Sequence, residues 1–259
     1  MNNSYIKWKI KWVIKNRIPV KIFYKIQQWR QFLIFIFFSV LRKGSNFFCP
    51  VCKFSFKKTY DKHAKFCPKC GSAERQRLTW LYLEKNILKN DKISFLHIAP
   101  ERKFKENLKK NENLQYSNID LYSPVADTKM DITNLTYSNN TFDLVLCSHV
   151  LEHIPEDKKA MSEIFRVLKS QGIAIILVPI FGNETKEDLT MTDPYFRRVN
   201  YHQEDHVRLY GMDVQERLKS VGFHVEYINY IESFSQDDIK RFAISMSHFP
   251  GDIILKCTK

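Results

Sequence analysis

No Asp or Glu occurs among the first sixty residues of this 259-residue chain; the first acidic side chain is Asp61. Those sixty residues carry thirteen Lys and Arg, so they hold the entire formal net charge of +13. The remaining 199 residues balance at 28 basic and 28 acidic side chains. Such a balance argues against a body that wraps nucleic acid, which would spread basic residues over its binding face. A long apolar run is lacking as well. Phe32 to Leu41 gives ten residues, against the roughly 20 needed to span a bilayer, and Lys21, Lys25 and Arg30 stop its extension upstream. With no small-x-small cleavage site after it, the run does not read as a secretory signal.

Residues 1–43 instead mix Lys and Arg with Tyr5, Trp8, Trp12, Tyr24 and Trp29. This composition predicts a basic, aromatic, amphipathic helical segment suited to an anionic membrane surface, where each basic side chain contributes about 1 kcal/mol. It could also cover an apolar patch of the protein itself or serve as a nucleic-acid arm. The ten-residue apolar run favours the membrane, because an RNA arm has no use for it. The expected location is cytoplasmic and peripheral on the inner membrane face.

Two of the six cysteines, Cys147 and Cys257, sit alone in apolar strand patterns and read as small buried hydrophobes. The other four form Cys49-Pro-Val-Cys52 and Cys67-Pro-Lys-Cys70, fourteen residues apart. Paired CxxC turns place four thiolates on one ion, the closed geometry of structural zinc. Residues 44–72 are therefore expected to be a small zinc ribbon, with Phe54, Phe56 and Phe66 as its few apolar side chains. A helix is predicted over 73–90, with Ser72 as its N-cap, forming a connector over 73–91.

From 92 onward, apolar runs that end abruptly in polar residues alternate with helical spacing, the pattern of an α/β sheet. Ile93–Ala99 is the first strand, and the turn after it, Ala99-Pro100-Glu101, has no glycine. Asp120 and Asp131 end short strand-like runs. Phe142–Cys147, apolar except for Asp143, is a buried strand that reaches Ser148 and His149. A helix is expected to end at Gly172, with strands at 173–178, 223–231 and 252–257 and a helix at 213–220. Ligands of such sheets bind outside the carboxyl ends of the strands, and an acid at Asp120 suits two ribose hydroxyls.

The stretches Leu96-His-Ile-Ala-Pro-Glu101 and Thr141 to Pro155, with the two acids between them, resemble the Rossmann-like S-adenosylmethionine-dependent methyltransferases. The resemblance covers 92–259. It is similar in particular to a zinc-ribbon-bearing subgroup with a His-x-Ala-Pro-Glu first motif. It implies a seven-stranded sheet with helices on both faces and an antiparallel last strand. It also implies S-adenosylmethionine as cofactor, contacted by His97, Ala99, Glu101, Asp120, Asp131, Ile132, Ser148 and His149, with Asp131 near the adenine. Glu152 and His153 would shape the pocket wall.

The irregular stretch 181–211 follows the fifth strand and is expected to cover the site. It holds His202, Glu204, Asp205, His206 and Arg208. Methyl transfer is an in-line displacement in which the enzyme mainly positions the acceptor, but a hydroxyl acceptor also needs a base. His206 paired with Asp205 is the expected base and His202 the second candidate, while Arg208 would meet an acidic substrate or pair with Asp205. The expected acceptor is a hydroxyl of a saccharide or lipid-linked glycan. An RNA methyltransferase and a non-catalytic cofactor-binding scaffold are the alternatives.

Overall fold

The computed structural model describes residues 43–59, 66–88, 92–244 and 253–259, together with Leu33, Phe37 and Leu41. Most of the expected basic segment, 1–43, lies outside the described residues. Leu33, Phe37 and Leu41 are helical and exposed. Strands β1 (Lys43–Cys49) and β2 (Phe54–Phe56) form an antiparallel hairpin with the first cysteine pair at its turn. Helix α1 (Glu74–Asn86) follows. Ser72 does not cap it: Ala73 is the N-cap, and the Gln76 side chain accepts from its N–H at 2.8 Å. The Ser72 hydroxyl lies among the cysteine sulfurs instead.

Beyond the connector come β3 (Ile93–Ile98), α2 (Arg102–Leu108), β4 (Leu114–Asp120), β5 (Thr128–Lys129) and β6 (Phe142–Ser148). Helix α3 (Asp157–Val167) leads directly into β7 (Leu168–Leu177). The helix thus ends before the expected Gly172, which lies inside the strand, where an added Cβ would sit 2.8 Å from the Lys169 carbonyl. The covering stretch is not irregular throughout. It contains β8 (Lys186–Glu187), α4 (Pro194–Tyr201) and β9 (Arg208–Leu209), with β8 and β9 paired antiparallel. Helix α5 (Val214–Ser220), β10 (His224–Ile228), α6 (Gln236–Phe242) and β11 (Ile254–Thr258) complete the chain.

The main sheet has seven strands in the order β10-β11-β7-β6-β3-β4-β5. Strand β11 runs antiparallel to both neighbours and the inner strands pair in parallel, as expected. Near-continuous apolar strands form because both faces are covered. Successive side chains alternate faces: Val145, Cys147, Ala174 and Ile176 meet α3 and α5 on one side. Leu144, Leu146, Ile175 and Leu177 meet α1, α2 and the cysteine hairpin on the other. The four-cysteine module therefore shares a core with the sheet. Arg77 on α1 is fully buried and ties the layers together, donating from Nε to the Phe242 carbonyl at 2.8 Å and also to the Ser72 and Ala243 carbonyls.

Gly211 marks a close crossing in the covering stretch, where an added Cβ would lie 2.4 Å from the Glu184 backbone. Backbone cannot rotate away as a side-chain tip can. Gly211→Ala is expected to cost about 1–3 kcal/mol, read as a lower Tm; an unchanged melt would show that residues 182–185 yield freely.

Candidate active site

Strand order reverses between β3 and β6, the place where open α/β sheets bind ligands. Ile98 is in register with Ile119 on one side and Cys147 on the other, so Ala99, Asp120 and Ser148 follow in one row along the carboxyl edge. Ala99 and His149 adopt left-handed backbone, with φ of 52° and 54°. Their N–H groups donate to the Ile119 and Leu177 carbonyls, each at 2.8 Å. A non-glycine residue there costs roughly 1–2 kcal/mol, held by these bonds. The glycine-free turn thus follows the path a glycine would take.

His97 is fully buried and does not line this edge. Its Nδ1 meets the Tyr116 hydroxyl at 2.9 Å, and its Nε2 lies 3.3 Å from Glu101 Oε2. Gln76 donates to the other Glu101 oxygen at 3.2 Å. Burial would raise the Glu101 carboxyl, but the His97 contact outweighs it and holds the group below its ordinary range. The expected cofactor contact of His97 is not seen: its ring is buried behind Glu101, which it orients.

Asp120 Oδ1 accepts from the N–H groups of Tyr122 and Ser123 at 2.7 and 2.6 Å. Asp131 Oδ1 accepts from the N–H and hydroxyl of Thr133 at 2.8 and 2.9 Å. Each acid fixes its own turn with one oxygen, and its second oxygen makes no hydrogen bond among the described residues. Ile132 is buried in the core beside them.

The expected acid–base pair does not form. Asp205 and His206 are neighbours in a turn and diverge, with Asp205 exposed and His206 buried. The Asp205 carboxylate lies 3.5 Å from His153 Nδ1 and accepts from Gln203 at 2.8 Å. His206 instead donates from Nδ1 to the Tyr201 carbonyl at 2.9 Å. Burial, followed by the nearby His153, pushes the His206 imidazole below its ordinary pKa. His202 ends α4 in a left-handed conformation, exposed, with its ring 4.9 Å from Phe181.

Instead, the structure assembles Glu152, His153 and His206, whose ligating atoms all lie within 4.8 Å of one another. The His153 and His206 rings stand 4.8 Å apart, edge to face. Glu152 and His153 lie on a short 3-10 turn just past β6, and adjacency in sequence alone does not reveal that His206 joins them. Burial acts to raise the Glu152 carboxyl, yet His149 and His153 beside it hold it low.

Arg208 faces neither an acidic substrate nor Asp205. It is fully buried, donating to Glu187 at 2.8 Å and to the carbonyls of Leu151, Ile154 and Pro155. It staples the 3-10 turn to the covering stretch. Tyr210 and Arg217 reach Asp157 at 2.7 and 3.0 Å beneath it.

All six cysteines are free, and four of them cluster on the face of the sheet that carries α1 and α2. Cys49 and Cys70 sulfurs are 3.7 Å apart, as are those of Cys52 and Cys67. A tetrahedron with metal–sulfur bonds of about 2.3 Å has edges of about 3.8 Å, so the four sulfurs fit one such ion.

Residues 87–176 match the family described as a methyltransferase domain. An uncharacterized protein of Methanocaldococcus jannaschii is 44% identical over 59 residues, covering 23% of this chain and 26% of that one. The ubiquinone/menaquinone biosynthesis C-methyltransferase UbiE of Hydrogenovibrio crunogenus is 43% identical over 56 residues, covering 20% and 22%. The chain thus spans about a quarter of the length of the curated relatives it matches. A solved S-adenosylmethionine-dependent methyltransferase from Archaeoglobus fulgidus shares the fold, with a TM-score of 0.50 at 15% identity over 73% of this chain and 95% of that one.

Proposed function

We propose that the S-adenosylmethionine-dependent methyltransferase domain of this chain methylates a hydroxyl of a saccharide or lipid-linked glycan at the cytoplasmic face of a membrane. The observation that carries the cofactor reading is the row of Ala99, Asp120 and Ser148 along the carboxyl edge at the strand-order reversal. In this reading Asp120 accepts from the ribose hydroxyls through its second oxygen. Asp131 and Ile132 border the adenine, and Ala99 and Glu101 the methionine portion. Ser148 and His149 stand where methyl donor and acceptor meet. The four cysteines hold a structural zinc ion, with no position left open for catalysis.

The membrane part of the proposal rests on the basic, aromatic composition of residues 1–43 and the charge balance of the rest. Among the described residues no helix is long and apolar enough to cross a membrane; the proposed association is peripheral because the apolar run from Phe32 to Leu41 has only ten residues.

The test is calorimetric titration of S-adenosylmethionine into zinc-loaded protein and its Asp120→Ala variant. A hydrogen bond to a charged group is worth about 1.5–3 kcal/mol, so loss of two predicts binding weaker by about 100-fold or more. Asp120→Asn keeps an oxygen for the turn N–H groups of Tyr122 and Ser123 and separates ribose contact from turn geometry. A folded wild type that binds no cofactor would overturn the enzyme reading. Steeply salt-dependent RNA binding would redirect the acceptor to RNA.

A further inference from the structure

We infer that Glu152, His153 and His206 form a second metal site, for a divalent first-row cation, one turn beyond the end of β6. Two imidazoles and one carboxylate with further positions open are a donor set that such cations take. The ligating atoms lie within 4.8 Å of one another, so small side-chain rotations bring all three onto a single ion.

The state of the ligands points the same way. The Glu152 side chain is 1% exposed, and neither of its oxygens makes a hydrogen bond. His149 Nδ1 lies 3.3 Å from one of them, an ion pair only when that imidazole is protonated. A buried carboxylate without hydrogen bonds is costly, and a cation would satisfy it. Both imidazoles are oriented from behind. His206 Nδ1 faces the Tyr201 carbonyl at 2.9 Å, and His153 Nδ1 lies 3.4 Å from the Asp205 carbonyl and 3.5 Å from its carboxylate. A carbonyl only accepts, so in each ring Nδ1 carries the proton and Nε2 keeps its lone pair. A histidine held on one nitrogen by a carbonyl or carboxylate is how metal ligands are usually fixed. The Val207 N–H also donates to the Glu152 carbonyl at 2.9 Å, locking the two segments that supply the ligands.

The use of the ion rests on the hydroxyl-acceptor reading above. An acceptor O–H bound to the cation releases its proton to solvent. The oxygen lone pair then forms a C–O bond to the sulfonium methyl, while the S–CH3 bond breaks and returns its electron pair to sulfur. No oxidant or reductant is involved.

The experiment titrates Mn2+ into zinc-loaded, full-length protein and follows unbound Mn2+ by its electron paramagnetic resonance. Mn2+ prefers oxygen and nitrogen to thiolate and leaves the cysteine cluster to zinc. The expected result is one Mn2+ per chain, bound at least about tenfold more weakly in Glu152→Gln and in His153→Ala, with zinc content unchanged. Should Glu152→Gln fail to fold, His153→Ala decides alone, since that side chain is 28% exposed. No binding at millimolar Mn2+, or binding that survives both substitutions, overturns the site. S-adenosylmethionine is titrated into the same samples. A chain that takes the cofactor but no Mn2+ sinks this inference alone, and one that takes Mn2+ but no cofactor sinks the methyltransferase reading alone.

Discussion

Cys67→Ser is expected to empty the cysteine cluster and lower the melting of the entire domain, not of the hairpin alone. Metal binding contributes about 10–16 kcal/mol in zinc-finger peptides, as much as the total stability of a typical domain, about 5–15 kcal/mol. In a separable ribbon that loss would stay local. Here Cys49, Val51, Phe56 and Cys67 belong to one buried cluster with Trp80 of α1 and Phe95, Leu144 and Leu146 of the sheet. The buried Arg77 would add to the coupling, because four thiolates around a Zn2+ ion would carry a net negative charge beside its guanidinium. Burial holds the pKa of Arg77 below its ordinary value, and the cysteines offset only part of that pull. The check is zinc content by elemental analysis beside thermal melting followed by Trp fluorescence and circular dichroism. Zinc loss with an unshifted main transition would show that the module is energetically separate.

Arg208→Met should destabilise the fold by about 3–5 kcal/mol, the cost of leaving buried charge without its partner. Glu187 and three backbone carbonyls each lose one donor at once. Arg217 still reaches Asp157 and Glu187 at 3.0 and 2.6 Å, which places the loss at the lower part of that range. Arg208→Lys should recover little, since one ammonium cannot replace a planar fork that serves several acceptors. Denaturant titration gives the figure, and a loss under about 1 kcal/mol would show that the staple is dispensable. Because the same side chain pins Leu151 and Ile154, the variant should also weaken Mn2+ binding by the neighbouring Glu152 and His153.

Much of this was readable in the chain itself. Apolar runs ending in polar residues located β3, β6 and β7, and the paired CxxC turns foretold the sulfur cluster. The glycine-free turn was legible as an anomaly, but only the backbone explains it: Ala99 stands at φ 52°, within reach of the Ile119 carbonyl. The partnerships of charged residues stayed hidden. Asp205 and His206 look like a pair because they are adjacent, yet adjacent side chains in a turn diverge. Arg208 looks like a substrate contact because arginine is seldom buried, and three of its four acceptors come from residues more than fifty positions upstream. Long-range pairing of this kind follows from topology, which periodicity does not encode.

A continuous line of contacts runs from Ala73 through Gln76 and Glu101 to His97 and Tyr116. The front module is therefore no detachable accessory. A fragment starting at residue 92 would keep every strand of the large sheet, yet it would open Phe95 and Leu144 to water and strip Glu101 of one of its two side-chain partners. The smallest part of this protein expected to keep its fold begins before its first cysteine.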